Sequence, residues 1–108
     1  MPDRIQDYKA AFFRAIGNPI RIRILTELRQ QPLSVGELQE RLQVQSSNVS
    51  QNLAVLRAHG IVVAERDGTR VVYSVEDGQL YEILDAARSM LERRIENSAR
   101  VFDFGVGS

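Results

Sequence analysis

Residues 45–60 restrict the chain to one kind of fold. Val49, Leu53 and Leu56 stand at i, i+4 and i+7, one apolar stripe of a helix, while Ser47, Asn48, Ser50, Gln51 and Asn52 crowd the opposite face near its start. That face carries almost no charge. Solvated helix surfaces usually carry Glu and Lys, so a run of short amides and hydroxyls suits hydrogen-bond exchange with another surface, and base edges in a DNA major groove are such a surface. Helix caps and ordinary surfaces use the same residue types. The segments on either side separate the two readings.

Upstream, Ser34-Val35-Gly36-Glu37 has the capping-box pattern, with Ser34 as N-cap and Glu37 three residues on, and Val35, Leu38 and Leu42 give the buried stripe of the helix that follows. Four residues, Gln43-Val44-Gln45-Ser46, then form the short turn of a helix-turn-helix. Ser46 or Ser47 is expected to cap the next helix, and Gly60 to close it. Downstream lies a hairpin, with strands at 61–66 and 70–75 rich in β-branched residues and Asp67-Gly68 as the turn signal. Arg66 and Arg70 flank its tip. Basic tips are common on hairpins in general; beside a helix-turn-helix they also suit contacts to phosphate or the minor groove.

Residues 3–16 read as a first helix, in which Tyr8, Ala11, Phe12, Ala15 and Ile16 share a face and Phe13 lies off it. Core packing accounts for that surface, or a subunit interface does. Gly17-Asn18-Pro19 stops this helix and starts the next, with Asn18 as cap and Pro19 at the first helical position. The second helix runs to about Gln31 with Ile20, Ile22, Ile24, Leu25 and Leu28, and Pro32 ends it. A long last helix from about Asp77 to Ala99 carries Leu80, Ile83, Leu84, Ala87, Leu91 and Ile95. That is more apolar surface than a helix at the edge of a small domain needs, and pairing with the first helix across a two-fold axis would bury it. Leu84, Met90 and Leu91 could instead line an apolar ligand pocket. Residues 1–100 are expected to form one domain and 101–108 a tail.

Composition excludes several functions. The chain has no cysteine, and so no disulfide, thiolate metal site or cysteine nucleophile. With no apolar run of membrane-spanning length and no signal-peptide h-region, a soluble cytoplasmic protein is expected. An enzyme is not, because no nucleophile–base pair, phosphate loop or metal cluster is found. No cofactor is expected. The single histidine, His59, sits beside Gly60, where an imidazole can meet the unpaired carbonyls of a helix end. Glu82, Asp85, Glu92 and Glu96 interleave with Arg88, Arg93 and Arg94 at helical spacing, the pattern of an ion-paired surface. The formal charge is zero but divided: residues 1–75 hold ten Lys/Arg against seven Asp/Glu, net +3, and 76–108 hold four against seven, net −3. Such a split suits one part facing a polyanion.

The order helix, helix, helix, turn, helix, hairpin, helix, with Asn18-Pro19-Ile20-Arg21-Ile22-Arg23-Ile24-Leu25, Ser34-Val35-Gly36-Glu37-Leu38 and the run from Val49 to Val62, resembles the ArsR/SmtB family of winged helix-turn-helix transcriptional repressors. The resemblance implies a mainly α fold with a small β-hairpin wing. It also implies a homodimer on double-stranded DNA, formed through the first and last helices by Tyr8, Phe12, Phe13, Leu80, Ile83, Leu84, Ala87, Leu91 and Ile95. On that mapping Ser47, Asn48, Ser50 and Gln51 read bases, Gln51 or Asn48 taking adenine in a bidentate way. Gln45, Ser46, Asn52 and Arg57 touch phosphate or sugar, and Arg66, Thr69 and Arg70 form the wing. Arg21 and Arg23 are open to two roles, phosphate contact or ion pairing with a helix carboxylate. The family's metal-binding positions are not kept. Its paired cysteines fall at Ser34 and Gly36, and its second site begins at Asp77-Gly78-Gln79 but meets Met90 and Arg93 further on. Any effector would be a small molecule or a protein. The competing reading is a dimerisation or protein-docking module that does not bind DNA.

Overall fold

The computed structural model describes residues 2–101, with side chains over 4–98. Five helices and one hairpin follow in order: α1 (Pro2–Ile16), α2 (Pro19–Leu28), α3 (Val35–Leu42), α4 (Ser46–Ala58), β1 (Val62–Asp67), β2 (Arg70–Val75) and α5 (Leu80–Val101). They divide into two compact units, one ending at Glu76 and one beginning at Asp77. Of the tail expected at 101–108, Val101 is the last residue of α5, and 102–108 lie outside the described residues.

The first unit is built on caps that the sequence encodes. Asn18 accepts hydrogen bonds from the N–H groups of Ile20 and Arg21 at 2.9 and 3.2 Å, with Pro19 behind it. At Ser34 the full capping box forms: its hydroxyl accepts from the Glu37 N–H at 3.2 Å, and its own N–H donates to the Glu37 carboxylate at 2.9 Å. At the far end of α4, Gly60 has φ +71°, the Gly60 N–H donates to the Arg57 carbonyl at 2.9 Å and the Ile61 N–H to the Leu56 carbonyl at 2.9 Å. This is a Schellman closure, and it delivers the buried Ile61 and Val62 directly into β1.

Four boundaries differ from expectation, each for a local reason. α2 ends at Leu28, short of Gln31, because Leu33 exchanges two backbone hydrogen bonds with Tyr73 (3.1 and 2.8 Å), which requires extended chain before Ser34. The hairpin pairs Asp67 with Arg70, so its two-residue loop is Gly68-Thr69 rather than Asp67-Gly68. Gly68 alone there has positive φ (+67°), the pattern of a type II′ turn. α4 is capped by neither serine: Gln45 is its N-cap, extended (φ −67°, ψ 147°) and without a side-chain cap bond. Gln43 takes up the reversal one turn earlier in a left-handed conformation (φ 58°), so helix geometry is already established at Ser46. α5 starts at Leu80, after a tight turn in which the Asp77 carboxylate accepts from the Gln79 N–H at 2.9 Å.

The core of the first unit is Ala15, Ile16, Ile24, Leu25, Leu28, Leu33, Leu38, Leu42, Val49, Leu53, Leu56, Ile61 and Val62, all buried, and no polar side chain is buried among the described residues. α4 lies at its centre and touches α1, α2, α3 and β1. Leu56 is fully buried and Ser50, one face away, is exposed. Leu56→Ala is therefore expected to cost about 2–5 kcal/mol of unfolding free energy through a cavity, and Ser50→Ala less than about 0.5. Urea denaturation at one protein concentration checks this, and equal losses would contradict the assignment of faces.

Candidate nucleic-acid interface

The amphipathic turn of α4 sets the site. Because Val49, Leu53 and Leu56 point inward, Ser46, Ser47, Asn48, Ser50 and Gln51 are all exposed, as is Gln45 before them. No acidic residue stands in the first turn, so nothing there repels an anion, and the positive end of the helix dipole favours one. Because neither serine caps the helix, both hydroxyls are left for an outside partner.

Asn52 is different. It is half-buried, and both ends of its amide are engaged within the chain. Its Oδ1 accepts from Arg21 Nη1 at 3.0 Å, and its Nδ2 donates to the Asn48 carbonyl at 2.9 Å and to Asn48 Oδ1 at 2.7 Å. Arg21 donates in addition to the carbonyls of Ala15 and, at 3.3 Å, of Arg14, which end α1. Arg23 does the equivalent for α3, donating to the Leu42 carbonyl at 2.8 Å. Neither arginine has an ion pair with a carboxylate among the described residues. Both occupy the unpaired carbonyls at a helix C-terminus, where positive charge is favoured. Sequence reasoning missed the link from Arg21 to Asn52, since the two lie 31 positions apart.

Arg57 is exposed near the end of α4 and lines an open cleft with Ser50, Leu53, Ala54, Ala58 and Tyr73. His59 takes its structural place, with Nδ1 3.0 Å from the Val55 carbonyl. On the wing, Arg66 and Thr69 are exposed. Arg70 is not free. Its Nη1 lies 3.2 Å from the Glu37 carboxylate and its Nε 3.8 Å from Asp67, so it ties the wing to the start of α3. Glu37 is thereby shared between the capping box and the wing, and its pKa is lowered. The Ser34 backbone N–H is the largest cause, opposed by partial desolvation and reinforced by the Ser34 hydroxyl and by Arg70.

The apolar residues assigned to a subunit interface fall into two groups. Tyr8 (61% exposed) and Phe13 (52%) on α1, and Ile83, Leu91 and Ile95 on α5, are open to a partner, as are Ile5 and Met90, which the sequence did not single out for it. Phe12 is half-buried and meets Phe13 edge to face at 5.2 Å between ring centres; Leu84 and Ala87 are half-buried. Leu80 is buried, with 6% exposure, and offers a partner almost no surface.

A family model described as a helix-turn-helix domain matches residues 16–65. Rv0081, named an uncharacterized HTH-type transcriptional regulator of Mycobacterium tuberculosis, is 42% identical over 96 residues, 88% of this chain and 84% of that protein. The HTH-type transcriptional repressor SmtB of the same organism is 41% identical over 86 residues, 79% of this chain and 64% of that protein. The chain belongs to the ArsR/SmtB family. Solved structures agree with this ArsR/SmtB membership. The crystal structure of Rv0081 superposes with a TM-score of 0.80 at 41% identity, covering 88% of this chain and 96% of that one. NolR from Sinorhizobium fredii gives 0.75 at 30% identity, covering 82% and 89%. Among the described residues of this ArsR/SmtB chain, no three His, Cys, Asp or Glu side chains gather where they could hold a metal ion, and no helix is long and apolar enough to cross a membrane.

Because the folded pKa of Glu37 is depressed, its contribution to stability is complete above the ordinary value of 4.5 and is lost as pH falls through the folded value. Glu37→Gln keeps the capping acceptor and removes the charge facing Arg70. The variant is expected to be less stable than the parent at pH 7, with the gap closing as pH falls below about 4.5 and through the lowered folded value. Denaturation curves across pH test it; a gap independent of pH would contradict the assignment.

Proposed function

We propose that this chain is a sequence-specific DNA-binding transcriptional regulator, a repressor that binds an inverted-repeat operator as a homodimer. One observation carries the reading: α4 presents five adjacent uncharged polar side chains, Ser46, Ser47, Asn48, Ser50 and Gln51, on a helix held rigidly from behind by a buried apolar stripe. Short hydroxyls and amides match the donors and acceptors of major-groove base edges. Exposed Arg57 and Arg66, which have no ion pair among the described residues, supply the charge for flanking phosphates. The names of the relatives point the same way.

The dimer rests on exposed apolar surface. Ile5, Tyr8 and Phe13 on α1 and Ile83, Met90, Leu91 and Ile95 on α5 are each at least two-fifths exposed in the single chain, and a second copy would remove them from water. Two α4 helices related by a two-fold axis then reach successive major grooves, which sets the half-sites about one helical turn apart.

The direct experiment is selection of bound sequences from a random duplex pool by the purified protein. An inverted repeat with that spacing is expected. Failure to enrich any sequence, from protein shown to be folded and dimeric, would favour the docking module instead. A salt titration separates the two wing arginines. Arg66→Ala should lower the log–log salt slope by about 0.9 for each wing, about 1.8 for the dimer, on specific and random DNA alike, whereas Arg70→Ala, whose charge is already paired with Glu37, should change the slope less and the stability more. An unchanged slope for Arg66→Ala would remove the wing from the interface. Gln51→Ala is expected to weaken the selected site more than random DNA, by about 1–3 kcal/mol for each half-site; equal losses on the two would show that Gln51 reads no base.

A further inference from the structure

We infer that Arg21, acting through Asn52, fixes the side-chain amide of Asn48 so that its NH2 group faces outward, selects a base with an acceptor in the major groove and rejects cytosine. This rests on the DNA-binding reading above and names a specificity-determining device within it.

A guanidinium has five N–H donors and no acceptor. The atom of Asn52 that lies 3.0 Å from Arg21 Nη1 must therefore be its oxygen. The amide nitrogen of Asn52 is thereby turned the other way, where it meets the Asn48 backbone carbonyl at 2.9 Å, an acceptor only. The same nitrogen lies 2.7 Å from the side-chain amide of Asn48. A nitrogen of Asn48 in that position would set donor against donor, so Oδ1 faces Asn52 and Nδ2 faces away. An asparagine's orientation is ordinarily ambiguous and is decided by its network. Here the network starts from a group with no choice and passes its direction through two amides to the exposed surface. Arg21 is itself held by the carbonyls of Ala15 and Arg14, so the first link does not swing.

Asn48 is exposed, and its two Nδ2 hydrogens have no partner among the described residues. Guanine offers N7 and O6 to such a group and thymine offers O4, while adenine sets a donor beside its acceptor and cytosine offers a donor alone. The tether disfavours cytosine, which needs the amide oxygen turned outward, while adenine stays open to Asn48, because Oδ1 keeps a second lone pair beside the one that accepts from Asn52. Gln51 has no such tether, so its amide can present either end and adenine remains open to it. Asn52 becomes a positioning residue rather than a phosphate contact.

The test measures relative affinity for all four base pairs at every position of the selected operator. Asn48→Ala identifies the position that this side chain reads, as the one whose preference disappears. There the parent protein is expected to favour guanine over cytosine on the contacted strand by roughly tenfold. Asn52→Leu and Arg21→Met should abolish that preference and leave those at other positions within about twofold. Asn52→Asp keeps the acceptor for Arg21 and cannot donate to Asn48. It should release the amide and shift the position toward bases with donors, and it carries the test should Arg21→Met not fold. A change confined to one base position is a readout that a general loss of packing would not give. Cytosine preferred by the parent protein, a guanine preference that survives in the Asn52 variants, or no position lost in Asn48→Ala would each overturn the inference while leaving DNA reading intact. A parent protein with no sequence preference at all would overturn the proposed function itself.

Discussion

Three side chains, Val49, Leu53 and Leu56, decide which way α4 faces. Each is essentially removed from water, and a helix that buries one stripe so completely has no freedom to rotate: turning it by one residue would exchange leucine for polar amide in the core, at a cost of several kcal/mol for the unsatisfied groups. The outward polar face is thus a consequence of the inward apolar one. Everything around it reinforces the same orientation. The Schellman closure at Gly60 fixes the exit into β1, the left-handed Gln43 fixes the entry, and Arg21 ties the middle of the helix to the end of α1.

Charge is distributed to match. The polar face of α4 itself has none, so it carries no strong sequence-independent attraction for a polyanion. The cations stand beside it, at Arg57 and Arg66, where they can meet phosphates. Other arginines that the sequence makes look available are already committed inside the fold: Arg21 and Arg23 to helix-terminal carbonyls, Arg70 to Glu37 and Asp67. A chain with no net charge can in this way hold a local positive edge without broad affinity for polyanions.

How much was legible in the sequence follows from how local each signal is. The caps at Asn18, Ser34 and Gly60 and the stripe of α4 depend on neighbours within a few residues, and each appears where the pattern put it, while the hairpin forms with its turn one residue further on. The differences arise where a distant residue decides or where a nearby turn takes a less usual geometry. α2 stops early because Leu33 pairs with Tyr73, and α4 starts without a serine cap because Gln43 reverses the chain first. The intramolecular partners of Asn52 and Arg70 were invisible for that reason, since Arg21 and Glu37 are separated from them by more than a helix in sequence. Periodicity finds which face of a helix is exposed; it does not find which exposed group is already held.

Sequence-specific binding through α4 requires that helix to touch bases from the major-groove side. Replacing every guanine and adenine of the selected operator with its 7-deaza analogue removes the N7 acceptors from that groove and leaves pairing, backbone and minor groove intact. Binding should then fall toward the level of random duplex, while the same replacement in random duplex changes little. Undiminished affinity for the substituted operator would mean that the polar face of α4 does not read base edges.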